Sequence, residues 1–116
     1  MSLTRWVHRA AAAADDKLGS DTLIIDVGDV LSITDFFVIT SAPNARQVRA
    51  IAEEVEVQLK QDGGPVPIRI EGKDDLEWIL LDYGPFVVHV FHDEVRAYYD
   101  LERLWGDCPR VEWQAG

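Results

Sequence analysis

Between Glu77 and Phe91 the chain reads EWILLDYGPFVVHVF, two strongly apolar stretches parted only by Tyr83-Gly84-Pro85. Glycine beside proline marks a turn, and the β-branched and aromatic residues on either side favour extended backbone. The segment therefore predicts an antiparallel pair of strands, Glu77 to Asp82 and Phe86 to Phe91. Side chains alternate between the two faces of a strand. Trp78, Leu80 and Asp82 then share one face and Glu77, Ile79 and Leu81 the other, while Phe86 to Phe91 is apolar on both. Strands apolar on both faces belong inside a layered fold, so either helices cover both sides of the sheet or a partner completes one of them.

The remaining elements follow from periodicity. Leu3, Trp6, Val7, Ala10, Ala14 and Leu18 recur at helical spacing, with Ser2 or Thr4 as a cap and Gly19 as the stop. Asn44 can cap a second helix whose apolar stripe is Val48, Ile51, Ala52, Val55 and Leu59 and whose end is Gly63. Asp93 can cap a third, through Trp105, with Val95, Tyr98, Leu101 and Leu104 at helical intervals. Thr22 to Val27 and Phe36 to Thr40 read as strands, and Pro65 to Ile70 as an edge strand, because its prolines cannot donate to a ladder. The expected fold is a single α/β domain with a mixed sheet of about five strands and flanking helices, its core about residues 3–106 and residues 107–116 a tail. A length of 116 residues, 47% of them hydrophobic, suits one such core.

Composition narrows the function. With 21 Asp and Glu against 11 Lys and Arg, the net charge is −10, which repels a phosphate backbone and disfavours direct nucleic-acid binding. No apolar run approaches the roughly 18 residues that a membrane span needs, and the start lacks the apolar core of a secretory signal. A cytoplasmic location without membrane contact is expected. Cys108 is the single cysteine, so neither an internal disulfide nor a cysteine-built zinc site can form.

Three constellations test an enzymatic reading. Gly19-Ser20 followed by Asp35-Phe36-Phe37 resembles a worn nucleotidyltransferase pattern, in which a Gly-Ser turn precedes a strand with two carboxylates on one face that hold divalent metals. Phe37 occupies the second carboxylate position and cannot ligate magnesium. Asp35 is left as a remnant of that site or a cap for its turn. In His89-x-x-His92-Asp93 the two histidines point to opposite faces of a strand, so His89 reads as a packed or hydrogen-bonded strand residue and His92 as part of the turn into the last helix. Cys108 has no evident activating base, and Gly63-Gly64-Pro65 lies after a helix and before a strand, the reverse of a phosphate loop. No catalytic residue, metal or cofactor is expected.

The segments TDFFVITSA with NARQVRAIAEEVE, then EWILLDYGPFVVHVF, then HDEVRAYYDLERLWGD run in an order and spacing that resembles the Iojap-like ribosomal silencing factor family. The likeness extends from about the first helix to Trp105. One departure is Gly84-Pro85-Phe86, where the family more often has a small polar residue after the glycine; proline stiffens that turn and leaves the strands intact. The resemblance implies a nucleotidyltransferase-like fold without the metal carboxylates. It further implies binding to the large ribosomal subunit through its protein L-fourteen at the intersubunit face, a steric block of small-subunit joining, and repression of translation when nutrients are scarce. Carried onto this sequence, the binding surface falls on the hairpin and its flank: Trp78 as the anchor, Leu80, Asp82 meeting a basic side chain, Tyr83, Val88 and Val90. Tyr98, Tyr99, Leu101 and Trp105 are expected to clamp the last helix to the sheet, with one tyrosine alternatively reaching the partner. Trp78, Leu80, Val88 and Val90 would form one apolar patch, through which the free protein pairs with a second copy in competition with the ribosome. Two rival readings are a nucleotide-binding or nucleotidyltransferase-like enzyme and a generic homodimeric interaction module.

Overall fold

A computed structural model of the protein describes residues 3–113. Ser2, one of the capping candidates, and residues 114–116 of the expected tail lie outside the described residues. The elements run α1 (Leu3–Asp16), β1 (Ser20–Asp26), β2 (Phe36–Ala42), α2 (Ala45–Gln61), β3 (Arg69–Glu71), β4 (Trp78–Asp82), β5 (Phe86–His92), α3 (Asp93–Tyr99), α4 (Leu101–Leu104) and β6 (Arg110–Val111). The sheet has six strands in the order β3-β4-β5-β2-β1-β6. Its one parallel pair is β2 with β5, the crossover that α2 makes possible; the other neighbours are antiparallel.

The two long helices form as their patterns require. The Asn44 side-chain oxygen accepts from the Gln47 N–H at 2.9 Å, and Val48, Ile51, Ala52, Val55 and Leu59 are wholly buried. On α1, Ala10, Ala11, Ala13 and Ala14 are fully buried, and such small side chains let α1 lie close to both α2 and the sheet. Leu18, expected on this buried stripe, instead makes the left-handed turn after α1 (φ 63) and is exposed.

Together α1 and α2 cover one face of the sheet. There Ile24, Val38, Ile79, Leu81, Phe86, Val88 and Val90 join them in the larger core cluster. The opposite face is covered over only part of its width. Leu101 of α4, Cys108 and the half-buried Val95 and Trp105 pack on Ile25, Val27, Phe37, Ile39 and Phe91.

Four expectations change in detail. The third helix breaks at Asp100, which adopts a left-handed φ of 48, so α3 and α4 are separate. Its cap is the His92 side chain, which accepts from the Glu94 N–H at 3.3 Å, and not Asp93. Pro65 to Ile70 contributes no full strand: pairing starts with the Ile68 N–H on the Asp82 carbonyl and β3 begins only at Arg69, since the two prolines before it offer no donors. Finally, part of the expected tail is built in. Cys108 is buried, Arg110 and Val111 pair with Ile25 and Ile24, and the Trp113 indole donates to the Thr22 carbonyl at 3.0 Å.

Candidate functional site

The hairpin closes through a two-residue loop, Gly84 and Pro85, with the Tyr83 N–H donating to the Phe86 carbonyl at 3.0 Å. Gly84 has a φ of 93, a conformation open to glycine at little cost, and its N–H is held at 2.8 Å by Asp82 Oδ1. This closure sets the register: Trp78 pairs with Phe91, Leu80 with His89 and Asp82 with Val87, while Ile79 pairs with Val90 and Leu81 with Val88. Paired residues share a face.

The expected binding set is therefore split. Trp78, Leu80 and Asp82 lie on the open face with Val87, His89 and Phe91, whereas Val88 and Val90 are fully buried in the cluster beneath α1 and α2. Tyr83 is also in that cluster, its ring stacked on Phe86 at 4.6 Å. Burial, with the Glu56 carboxylate as a lesser cause, holds the Tyr83 hydroxyl well above the usual tyrosine range. The single patch of Trp78, Leu80, Val88 and Val90 does not exist, because the sheet itself separates the two pairs.

What the open face presents is a groove of about 420 Å³ with a mainly apolar lining that includes Leu31, Ile33, Phe37, Ile68, Leu80 and Val87. Ile33 and Ile68 are 84% and 74% exposed. Thr34 and His89 also line it, and at its rim Arg69 contacts Asp82 at 3.2 Å and Glu71 at 3.9 Å. Asp82 thus uses one oxygen on its own turn and the other on Arg69, where a basic partner side chain had been expected. The residues missed from sequence are Val87, Phe37 and His89, from strands, Ile68, from the segment expected as an edge strand, and Leu31, Ile33 and Thr34, from a connection read only as a turn. Larger hollows lie at the β1/β6 edge (about 830 Å³), below α3 (about 560 Å³) and around the α3–α4 break at Asp100 (about 560 Å³). All three are more polar than the groove, and Arg96, which lines the second, is committed to internal hydrogen bonds.

His89 is the unusual residue of the groove. The Trp78 indole N–H can only donate, and it donates to His89 Nδ1 at 3.1 Å, so the neutral ring carries its proton on Nε2. Phe37 stands edge-on to the imidazole at 4.6 Å. Nε2 is buried and has no hydrogen-bond partner, and Thr34 Oγ1 is in the same state. Burial pushes the His89 pKa from 6.5 down to about 4. The unfolded chain takes up this proton as pH falls below about 6.5 and the folded chain only near 4, so the associated stability is whole above that window and is lost across it. The loss should reach roughly 3 kcal/mol by the acid end. Urea denaturation of wild type and His89→Gln between these pH values checks it: the wild type should lose the greater stability, and equal losses would contradict a neutral buried imidazole.

Trp78 itself is half buried, stacked on Phe91 at 4.7 Å and against Tyr99 at 4.9 Å. Its polar group is engaged inside the domain, so only its remaining edge is free for a partner. Leu101 and Trp105 do clamp the C-terminal helices, Trp105 edge-on to Phe37 at 5.9 Å, but Tyr98 is 82% exposed and clamps nothing.

The nucleotidyltransferase constellation is not assembled. Ser20 pairs with Ser41 at one end of the β1–β2 ladder, whereas Asp35 immediately precedes Phe36, which pairs with Asp26 at the other. The strand residues 36–40 lie between Asp35 and Ser41, a separation of roughly 20 Å at the usual rise. Asp35 lies beside Gly28, and its backbone N–H donates to the Pro85 carbonyl at 2.7 Å. Among the described residues no group of three or more His, Cys, Asp or Glu side chains is placed to hold a metal, and no helix is long and apolar enough to cross a membrane.

Fold and site together define a class: a small α/β domain whose mixed sheet has two long helices on one face and a half-open apolar groove on the other. Residues 2–115 match the family described as ribosomal silencing factor during starvation. The chain is 43% identical over 107 residues to the ribosomal silencing factor of Bacillus subtilis, covering 92% of this chain and 90% of that one. A crystal structure of a Chromobacterium violaceum protein superposes with a TM-score of 0.87 at 34% identity, covering 100% of this chain and 95% of the other. A mouse protein named mitochondrial assembly of ribosomal large subunit protein 1 is 35% identical over 88 residues, 73% of this chain and 38% of its own length. The chain belongs to the ribosomal silencing factor family.

Proposed function

We propose that this domain represses translation by docking the open face of its sheet on the large ribosomal subunit, where it prevents the small subunit from joining. The partner is the large-subunit protein L-fourteen at the intersubunit face, and the setting is nutrient limitation in the cytoplasm. The observation that carries this reading is the groove of Leu80, Val87, Ile33 and Ile68 on a domain of net charge −10. An acidic body on a particle rich in RNA is repelled by phosphate and attracted to basic protein, so a protein contact is favoured over an RNA contact. Membership of a silencing family, and a mouse relative whose name refers to the large subunit, support the same target. Asp82 and the outer edge of Trp78 border the contact. No nucleotide, metal or catalytic step is required.

In the absence of the ribosome the same face can meet its copy about a two-fold axis, and this homodimer would compete with docking. Against the rival enzymatic reading stands the separation of Gly19-Ser20 from Asp35. Magnesium-dependent nucleotide binding by the purified protein would reverse that judgement.

Sucrose-gradient sedimentation of mixed subunits tests the proposal. The protein, added without nucleotide, should shift joined ribosomes towards free subunits. Joined ribosomes unchanged at saturating protein would overturn the steric block.

A further inference from the structure

Among the described residues six buried side-chain polar atoms have no partner, and two of them, His89 Nε2 and Thr34 Oγ1, belong to residues that line the mainly apolar groove on the open face. The residues are 4% and 6% exposed, so water does not satisfy either atom from the surface in the free domain. An unsatisfied buried donor is costly to keep, and two that line one groove call for an explanation such as a bound acceptor. Because Nδ1 is occupied by the Trp78 indole, what His89 offers is a donor, and the Thr34 hydroxyl can donate as well.

We infer that the groove recognises an uncharged oxygen acceptor, a peptide carbonyl of a basic protein segment, through His89 Nε2–H and the Thr34 hydroxyl. This rests on the docking reading above and names the chemistry that the docked segment must carry. A carboxylate is disfavoured as the acceptor, since Asp82 and Glu71 border the groove against a single Arg69 and the whole chain is acidic. A purely apolar plug would leave both donors unpaired. The segment that fits sets an aliphatic side chain against Leu80, Val87 and Phe37, turns its adjacent carbonyl to the groove floor, and keeps basic residues outside near Glu71. The two atoms have no contact with solvent in the free domain, so the aliphatic side chains around the floor must part as the segment enters.

Binding to isolated large ribosomal subunits, with thermal melting as the folding control, tests the inference. His89→Asn keeps an oxygen near the Nδ1 position for the Trp78 indole and removes the outer donor; His89→Gln places an amide N–H near the Nε2 position. Thr34→Val removes the hydroxyl at constant shape. The expected result is a roughly tenfold weaker affinity for His89→Asn, several-fold for Thr34→Val, and a value near wild type for His89→Gln. The groove control is Leu80→Asp. If Leu80→Asp abolishes binding while His89→Asn and Thr34→Val bind as wild type, the acceptor inference is wrong and the docking face stands. If all of them bind as wild type, the docking face is wrong and the inference goes with it. Should His89→Asn fail to fold, Thr34→Val decides alone, with unchanged affinity overturning the inference.

Discussion

Leu80→Asp should lower affinity for the large ribosomal subunit by on the order of 100-fold while the domain stays folded. Leu80 is half buried at the groove and pairs across the ladder with His89. In the free domain a carboxylate there can turn to water. Under a docked partner it cannot, and Asp82 and Glu71 on the same rim add like charge. The contrast is Val88→Asp, on the neighbouring strand of the same hairpin. Val88 is fully buried on the helix-covered face, in the cluster with Leu81 and α2, so an aspartate at this site should prevent folding altogether. Circular dichroism with subunit binding separates the two. A folded Val88→Asp, or an unfolded Leu80→Asp, would contradict the assignment of faces.

The second large effect lies below α3. The ladder of β1 and β2 shifts register between Ser20 and Leu23, and Asp21 takes a φ of 44. The carbonyls of Ser20 and Asp21 find their donor in Arg96. Its guanidinium donates to Ser20 O at 2.8 Å, Asp21 O at 2.8 Å, Ser41 Oγ at 3.0 Å and Glu102 Oε2 at 3.1 Å, with the residue only 8% exposed. One side chain thus ties α3 and α4 to the irregular end of the β1–β2 ladder. Arg96→Met should cost on the order of 3 kcal/mol, lowering Tm by roughly 10 °C. The Glu102 side chain keeps 25% of its exposure and regains water when unpaired, so little of this loss is the ion pair itself. Arg96→Lys should recover only part of it, because an ammonium lacks the planar fork. Subunit binding by the folded fraction should persist, as Arg96 lies outside the groove. A change below about 1 kcal/mol would mean that water replaces the guanidinium.

Legibility in the sequence followed the strength of local signals. The second helix was readable because Asn44, five buried apolar positions and Gly63 all agree. The break at Asp100 was not, since a left-handed aspartate inside a helical pattern has no mark like that of glycine. Nor was β6, two residues held by pairing with β1 and by the packing of Val111, both long-range contacts. The hairpin was readable, but the patch of Trp78, Leu80, Val88 and Val90, carried over with the resemblance, puts residues of both sheet faces together. The two-residue loop at Gly84-Pro85 pairs even with odd, so Leu80 faces His89 and Val88 faces Leu81. That rule separates Val88 and Val90 from Trp78 and Leu80 and groups Val87 and His89 with them; the packing of α1 and α2 then decides which group is core. Leu31, Ile33 and Thr34 were beyond reach, because nothing local tells that the β1–β2 connection folds back over the open face.

Hydroxyl-radical footprinting of the protein free and bound to large subunits tests most directly whether the open sheet face, and not the helical one, meets the ribosome, since exposed aliphatic residues on the two sides serve as reporters. Ile33 and Ile68 border the groove, whereas Leu18 and Val57 are exposed on or beside the helices of the other face. Binding should strongly reduce labelling of Ile33 and Ile68 and leave Leu18 and Val57 as reactive as before. Protection of Leu18 and Val57 with Ile33 and Ile68 unchanged would contradict the account.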